Sequence, residues 1–428
     1  MRIRITNGRL LNPADGRDEV TNLLIEDDKI AAIGQDADQG EADREIDAEG
    51  CYVMPGLIDL HVHLRDPGLT EKADIESESR AAARGGFTTI CAMPNTKPVA
   101  DNMEVIRYVE DKAKEVGLVN VVQAGCLTKG MEGKELSDIA GMLRGGVRVF
   151  SEDGKSVMNS KLFRDAMRLI QKEDGVILDH CEDINLVEGG VMNDGEASRR
   201  LGFRGIANDV ENIIEARDIM IAEELGARLH LCHCSTKESV SFVKDAKKRG
   251  IQVTAEVCPH HFAMSEEDIP GDDANYKMNP PLRKREDMEA LRAGLADGSM
   301  EVISTDHAPH TAEEKSRGFE KAPFGIVGLE TSVQLSYTEL VKTGLITPLS
   351  LASKMSYLPA QILKNGKGDL AVGKIADLVI FDPRPEVELH ASDLVGKAKN
   401  MPYEGRKVFG NVVLTMLSGK ITYSSQSI

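Results

Sequence analysis

Short apolar runs alternate with amphipathic segments through most of the chain. Eight of these runs are apolar on both faces, which is typical of strands covered by helices on each side. They lie at residues 57–63, 88–93, 120–124, 147–151, 176–180, 228–233, 252–256 and 301–306. Helical periodicity fills the intervals between them, for example at 104–116 and 213–225.

This alternation of strands and helices predicts the fold class. Parallel βαβ units in succession favour an α/β protein whose eight strands close into a (β/α)8 TIM-like barrel. An open doubly wound sheet is the alternative. It is disfavoured because no Gly-rich phosphate-binding motif follows any of the strands.

The two ends of the chain show a different pattern, in which short strands are separated by polar or Gly-containing turns. Residues 23–34 predict a strand, a turn and a second strand, and residues 376–382 predict another strand. Neither end has enough apolar residues for a core of its own, so we expect both ends to pair in one small β-sandwich domain. The predicted domains are this β domain, at 1–54 plus 366–428, and the barrel, at 55–365.

Composition and charge narrow the function classes. Among the 428 residues, 70 are Asp or Glu and 52 are Lys or Arg, which gives a net charge of −18. An acidic surface of this size disfavours nucleic acid and anionic membranes as partners. No apolar run reaches the roughly 18 residues of a membrane span, and the N-terminal residues lack the apolar core of a secretory signal. The seven cysteines, an odd number, indicate reduced thiols, so we expect a cytoplasmic protein.

Residues that can bind a metal ion collect where the predicted strands end. His61 and His63 close the first strand, and their imidazoles point the same way because alternate residues of a strand share a face. Such a pair is a two-pronged ligand for zinc. Four more strand ends carry ligand-type side chains, namely Asp153, His180, His233 and Asp306. In a barrel these ends meet at one face, so the sequence predicts a metal site there.

Other histidines and cysteines near these strands are expected to pack rather than to bind metal. Strand alternation sends Cys232 and Cys234 to the face opposite His233. His230 lies three residues before His233 and is therefore expected to face outward. The histidine pair at 260–261, after the seventh strand, is expected to pack as well.

Several motifs, in order along nearly the whole chain, resemble those of one enzyme family. They lie at residues 55–68, 85–96, 179–183, 233–237, 276–281 and 322–330. Together they resemble the bacterial type I dihydroorotases of the amidohydrolase superfamily. This likeness is more specific than the His-x-His pair alone.

The resemblance implies a cofactor of two zinc ions in each subunit and a role for each ligand. His61 and His63 would hold the first ion, and His180 and His233 the second. Asp153 would bridge the ions, and Asp306 would bind the first ion and act as the general acid/base. Many superfamily members bridge with a carboxylated lysine, and Lys155 is the residue here that could do so. Glu152 stands at a position where the family would more often have Asp, and this small difference leaves Asp153 as the preferred bridge.

The charge of Arg65 indicates which substrate the site selects. Dihydroorotate carries a carboxylate, and the Arg65 guanidinium, two residues beyond His63, can bind it with two hydrogen bonds. The alternative for Arg65 is a surface salt bridge. The resemblance implies further substrate-binding residues, namely His63, Asn95, Asn279, His310, Phe324 and Gly325. For the two asparagines, turn formation beside Pro94 and Pro280 is the competing explanation.

The implied activity is dihydroorotase, the reversible hydrolysis of (S)-dihydroorotate to N-carbamoyl-L-aspartate in pyrimidine biosynthesis. The alternatives are an allantoinase, a dihydropyrimidinase or hydantoinase, or a non-catalytic subunit that scaffolds aspartate transcarbamoylase. The expected partners are the small-molecule substrate, a second copy in a homodimer, and aspartate transcarbamoylase. Residues 311–321, which are charged and follow the eighth strand, are a candidate mobile lid.

Overall fold

The structure, a computed structural model, describes residues 1–425. Its strands are β1 (Arg2–Asn12), β2 (Arg17–Glu26), β3 (Lys29–Ile33), β4 (Arg44–Asp47), β5 (Tyr52–Pro55), β6 (Leu57–Val62), β7 (Phe87–Ala92), β8 (Asn120–Gln123), β9 (Gly125–Cys126), β10 (Val149–Ser151), β11 (Val176–Asp179), β12 (Met192–Asn193), β13 (Gly205–Ile206), β14 (Leu229–Leu231), β15 (Val253–Val257), β16 (Val302–Ile303), β17 (Leu378–Glu388), β18 (Lys407–Leu417) and β19 (Lys420–Ser424). Each of the eight predicted runs overlaps one of these strands.

The helices fall mainly between the central strands. They are α1 (Ile75–Arg84), α2 (Met103–Val116), α3 (Ile139–Arg144), α4 (Ser160–Gln171), α5 (Glu196–Leu201), α6 (Asp209–Leu225), α7 (Lys237–Lys248), α8 (Pro259–Ala263), α9 (Arg285–Asp297), α10 (Ala312–Lys315), α11 (Gly318–Lys321), α12 (Ser332–Ser336), α13 (Pro348–Ala352) and α14 (Leu358–Leu363). Polar caps fix where several begin. The Asp74 side chain accepts a hydrogen bond from the Ser77 backbone N–H at the start of α1, and Asn102 caps α2 in the same manner. In the part of the chain described, no helix is both long and apolar enough to be a membrane span.

The central strands form two parallel sheets in chain order. One contains β6, β7 and β8, and the other runs β9-β10-β11-β14-β15-β16. A parallel bridge between Val62 and His307 joins the first strand to the segment after the last. The predicted α/β order is therefore confirmed. Within residues 1–425, however, hydrogen bonding does not form one closed eight-stranded ladder, because β16 is short and the pairing is interrupted between β8 and β9.

An apolar cluster fills the space that the central strands enclose. Ile58 and Leu60 of β6 meet Leu178 of β11 and Val302 there, and Ile362 of α14 covers one side. A larger cluster lies between the strands and the surrounding helices. The polar strand ends lie beyond this inner cluster.

The two ends of the chain build one β sheet. The pattern of strands and turns at both ends had predicted such a second β domain. Its strand order is β19-β18-β17-β5-β1-β2-β3, with β4 paired to β1. Strand β17, from the C-terminal part, pairs with β5, from the N-terminal part. The sheet has its own core, which includes Ile5, Leu10, Val53 and Leu414. All eight strands are connected in a single sheet, so a second β domain is present, and its sandwich form stays a prediction.

Candidate active site

The six predicted metal ligands converge on the Asp153 carboxylate. Its Oδ1 lies 3.1 Å from His61 Nε2, 3.4 Å from His180 Nδ1 and 3.5 Å from His233 Nε2. Its Oδ2 lies 3.3 Å from His63 Nε2, and that nitrogen is 3.1 Å from Asp306 Oδ1. All six side chains are buried. Five strand ends therefore bring their ligand atoms to one point.

Hydrogen bonds on the far side of two imidazoles fix which nitrogen faces this cluster. The Nδ1 of His61 donates to Glu256 Oε1 at 3.1 Å, and the Nδ1 of His63 donates to Asn95 Oδ1 at 2.9 Å. In a neutral ring the Nε2 atom then carries a lone pair. These lone pairs point at the carboxylates of Asp153 and Asp306, which also only accept. A cation between them would satisfy both sides.

The orphaned polar atoms of the cluster fit a metal ion. His61 Nε2 and Asp153 Oδ1 are buried without a hydrogen-bond partner, although they are only 3.1 Å apart. Two ligands about 2.0–2.1 Å from one tetrahedral zinc ion stand about 3.3 Å apart. Neighbouring ligand atoms here are 2.8–3.5 Å apart, the shortest separation being between His180 Nδ1 and His233 Nε2. The imidazole and carboxylate donors are also those that zinc takes, so the residues fit the implied metal.

The pKa shifts in the cluster indicate that protons and metal ions would compete for the same ligand atoms. Burial alone would raise the pKa of Asp153, but the neighbouring imidazoles of His61, His180 and His233 hold it well below its usual range. Burial alone would lower the pKa of His180, but the nearby carboxylates of Asp153 and Glu182 raise it to about 10. Without a metal ion, protons on His61 and His180 would balance the carboxylates. Metal ions bound there would displace these protons.

Three residues of the site have left-handed backbone conformations that L-residues seldom adopt. The φ angles are 60° at Arg65, 34° at His233 and 49° at Asp306. Such conformations cost on the order of 1–3 kcal/mol each and collect at functional sites. Each of these residues follows the end of a strand, where the backbone turns its side chain toward the cluster.

A cavity of about 230 Å³ opens over the cluster. It is lined by His63, Arg65, Asn95, Asp153, Gly154, His180, His233, Asn279, Asp306, Ala308, His310, Phe324 and Gly325. The lining includes every residue proposed from the sequence except His61, which is wholly buried beneath it. The structure thus places the predicted ligands and the predicted substrate residues around one space.

Arg65 is a buried cation in this cavity. The side chain is only 8% exposed, its Nε donates to the Pro309 carbonyl at 3.1 Å, and its Nη2 lies 3.3 Å from His310 Nε2. Within residues 1–425 it forms no ion pair, so the surface salt bridge considered above is not observed. Burial lowers the pKa of its guanidinium to about 10. It is still a cation at neutral pH, and an anion in the cavity would be its natural partner.

The other substrate residues are held by hydrogen bonds. His310 Nε2 donates to the Phe324 carbonyl at 2.8 Å, and Asn279 Nδ2 donates to Glu182 Oε1 at 2.7 Å. The N–H of Gly325 donates to the Lys277 carbonyl. Gly325 has a φ of 129°, and a Cβ there would lie 2.6 Å from the Ala308 Cβ, so this close approach requires glycine.

Two residues considered for the bridge are directed elsewhere. Lys155 Nζ donates to the Met131 carbonyl at 2.9 Å. The Glu152 carboxylate accepts from the backbone N–H groups of Leu127 and Thr128, each at 3.0 Å. Neither contacts the ligand cluster, which leaves Asp153 as the carboxylate at its centre.

Residues 311–321, the candidate lid, contain α10 and α11 and are anchored from below. Lys315 is 6% exposed, and its Nζ donates to the carbonyls of Lys277, Pro323 and Gly325 at 3.2, 3.1 and 2.8 Å. This buried ammonium group ties the segment to the cavity wall. Whether the segment moves stays a prediction.

Two expectations about the sixth strand were wrong. His230 faces inward, since its Nε2 lies 3.0 Å from Glu256 Oε2, whose other oxygen binds His61. Cys232 lies in the inner apolar cluster with Ile58, rather than against the helices. Strand β14 ends at Leu231, and the backbone then turns into the left-handed conformation of His233, so simple alternation fails. Cys234 does pack in the outer cluster, as expected.

The sequence reasoning missed Glu256, which supports the ligands from behind. Its carboxylate accepts from His61 Nδ1, from His230 Nε2 and, at 3.2 Å, from the backbone N–H of His233. The signal was available, because Glu256 is the one carboxylate within the apolar strand β15. A carboxylate in that setting usually has a specific partner.

Glu256→Gln should weaken metal binding by about 10- to 100-fold, the usual cost of losing a ligand's supporting partner. The amide NH2 group would face an imidazole N–H, so one ring must change its tautomer or turn. Metal affinity measured by competition with a chelator tests this. Glu301→Gln is the matched control, since the Glu301 carboxylate accepts from the Ala255 N–H of the same strand and binds none of the predicted ligands. Unchanged affinity in folded Glu256→Gln would contradict the role.

Comparison with known proteins identifies relatives that match this chain in sequence. A family model described as "Dihydro-orotase-like" matches residues 50–239. Curated relatives named dihydroorotase include those of Pelotomaculum thermopropionicum, 44% identical over 428 residues and covering 100% of both chains, and of Geobacillus sp. strain WCH70, 45% identical over 423 residues and covering 99% of both. These similarities span 99–100% of the length of each relative.

Solved structures share the architecture. An L-hydantoinase (dihydropyrimidinase) from Arthrobacter aurescens has a TM-score of 0.88 and 28% identity, covering 100% of this chain and 97% of that one. A dihydropyrimidinase from Brevibacillus agri NCHU1002 has a TM-score of 0.85 and 22% identity, covering 99% and 95%. At 22% identity, the similarity to the Brevibacillus agri protein concerns the fold alone. The chain is therefore similar in fold to hydantoinases and dihydropyrimidinases, and similar in sequence to proteins named dihydroorotase.

Proposed function

This chain belongs to the dihydroorotase family and has dihydroorotase function in pyrimidine biosynthesis, and from that premise we propose how its residues carry out the reaction. The reaction is the reversible hydrolysis of (S)-dihydroorotate to N-carbamoyl-L-aspartate. The residues that would hold two zinc ions are His61 and His63 for one, His180 and His233 for the other, and Asp153 for both. The ligand separations and the orphaned polar atoms support this assignment.

The buried Arg65 guanidinium is the observation that favours dihydroorotate over a neutral ring. Dihydroorotate carries a carboxylate, while hydantoin and dihydrouracil carry none. A cation without a carboxylate partner is costly to bury, and a bound carboxylate would offset that cost. We propose that the substrate carboxylate lies against Arg65, with Asn95, Asn279 and His310 around it.

The chemistry divides between the metal centre and Asp306. When bound, two such ions supply a hydroxide nucleophile at neutral pH and polarise the carbonyl under attack. Asp306 lines the cavity and keeps its Oδ1 within 3.1 Å of His63 Nε2, a position from which it can reach the reacting atoms. It takes the proton of the attacking water and returns it to the ring nitrogen that departs. In the reverse direction the same carboxyl group serves ring closure.

The remaining parts of the proposal rest on the family and the sequence. Zinc is proposed as the native metal because the donors are imidazoles and carboxylates. The barrel is proposed to occupy residues 55–365, and the β domain residues 1–54 and 366–428. A cytoplasmic location, a homodimer and association with aspartate transcarbamoylase stay predictions.

Ring opening assayed with dihydroorotate, hydantoin, dihydrouracil and allantoin tests the function directly. We expect turnover of dihydroorotate to exceed that of each neutral ring by orders of magnitude. Turnover of a neutral ring at a comparable rate would favour a hydantoinase or allantoinase instead. A purified protein that contains metal but is inactive on all four compounds would point to a scaffolding subunit.

Arg65→Lys should raise the Michaelis constant for dihydroorotate by about ten- to a hundredfold. Lysine keeps the positive charge but loses the planar fork, and a charged hydrogen bond to a carboxylate is worth roughly 1.5–3 kcal/mol. Arg65→Met should be worse, and neither variant should lose metal. Steady-state kinetics in both directions, with metal analysis on the same preparations, measures the effect. Arg317→Lys, at an exposed arginine of the nearby segment, is the control. An unchanged Michaelis constant in both Arg65 variants would remove the carboxylate anchor.

A further inference from the structure

A second group of ligand-type side chains lies apart from the Asp153 centre. Cys258, His260 and His261 stand at the end of β15 and the start of α8, and one ligand atom from each lies within 4.8 Å of the others. All three are buried, with exposures of 0%, 2% and 3%. None of them has a part in the reaction described above.

The two imidazoles of this group have nitrogen atoms without partners. His261 Nε2 donates to the Pro280 carbonyl at 2.9 Å, which leaves the lone pair on Nδ1, and that atom is buried without a hydrogen-bond partner. His260 Nε2 is likewise buried and unpartnered. The ring centroids are 4.2 Å apart. Buried polar atoms normally find partners, so two unpartnered ones beside a thiol indicate a missing ligand.

The charge state of the group suits a cation. Burial lowers the pKa of His261 to about 4 and that of His260 well below its usual range, so both rings are neutral at physiological pH. Burial raises the pKa of the Cys258 thiol, and the carboxylates of Asp306 and Glu256 raise it further. The same carboxylates lower the cost of placing positive charge nearby. On binding, the thiol would give up its proton to solvent and the metal ion would take its place.

We propose that Cys258, His260 and His261 bind a further transition-metal ion of the zinc class, separate from the catalytic centre. One thiolate and two neutral imidazoles are donors that zinc and its chemical neighbours prefer over magnesium or calcium. The His261–Pro280 hydrogen bond links this ion to the segment that carries Asn279. The ion would therefore hold α8 against one wall of the cavity, as a structural ion without a role in the chemistry.

Cobalt substitution distinguishes this site from the catalytic one. The proposed catalytic ligands are nitrogen and oxygen atoms only, so a thiolate-to-cobalt charge-transfer band in the near ultraviolet reports a cysteine ligand. We expect the full-length protein, stripped of metal and titrated with Co²⁺, to develop this band. Cys258→Ser should abolish it, and His261→Ala should reduce the affinity at least tenfold. Cys232→Ser is the matched control and should keep the band, although Cys232 lies near His61 and Glu256.

Elemental analysis of zinc in the same variants provides the second measurement. Cys258→Ser should bind one zinc ion fewer than the unaltered chain while keeping dihydroorotase turnover. Absence of the band in the unaltered chain at saturating Co²⁺ would overturn the proposal, and this measurement does not depend on any variant folding. Persistence of the band in folded Cys258→Ser would overturn it as well. Neither result would bear on the proposed function, because the band does not depend on turnover.

Discussion

Asp306→Asn should lower turnover of dihydroorotate by about 10²–10⁴-fold, the usual loss when a general acid/base is removed. Asparagine has the shape of aspartate and keeps an oxygen that can face His63, but it cannot accept a proton from the attacking water. The fold and most of the metal should therefore survive. Steady-state kinetics in both directions, thermal melting and metal analysis on one preparation measure all three properties.

Asp287→Asn is the matched control for this variant. Asp287 is a buried carboxylate on α9 that accepts from the Lys237 backbone N–H and from Asn208 Nδ2, and it binds none of the predicted ligands. Its replacement should affect stability and leave turnover of the folded protein near normal. If folded, metal-loaded Asp306→Asn keeps near-normal turnover, Asp306 has no part in the proton transfer.

Asp153→Ala should remove about half or more of the bound metal and with it almost all activity. The carboxylate lies between four imidazoles and is the group that would neutralise charge between two cations. Without it, the ions would repel each other across a short, buried gap. Elemental analysis of the purified variant gives the metal stoichiometry, which should fall further than in any substrate-site variant such as Arg65→Met.

Glu152→Gln controls for loss of a neighbouring carboxylate. The Glu152 side chain turns away from the cluster toward Thr128, so the metal content of Glu152→Gln should stay close to that of the unaltered chain. An unchanged metal stoichiometry in Asp153→Ala would contradict the bridge. Lys155 would not then be the obvious replacement, because its Nζ is bound to the Met131 carbonyl.

The sequence predicted those parts of the site that depend on strand position. A parallel strand delivers its last residues to a known face of the fold, so His61, His63 and Asp306 could be assigned to one place before any contact was known. The eight apolar runs could be recognised for a similar reason, since strands buried on both faces leave a continuous apolar signal.

The parts that escaped prediction depend on backbone geometry beyond the strand. His230 and Cys232 were misplaced because the turn at His233, with its φ of 34°, breaks the alternation on which the argument relied. Glu256 was overlooked because its importance lies in two histidines distant in sequence. The lack of an ion-pair partner for Arg65 within residues 1–425 is likewise a tertiary property, which a sequence motif does not carry.

The β sheet shared by the two chain ends imposes an order on how the protein assembles during synthesis. Strand β17 pairs with β5 through residues 378–381, so β5 has no neighbour on that side until this distant segment has been synthesised. Contacts this far apart in sequence form late, because a long loop must close before they contribute. The nascent chain therefore carries an open strand edge while the central strands are being made. A chaperone that shields β5 at this stage would protect the protein from edge-to-edge association.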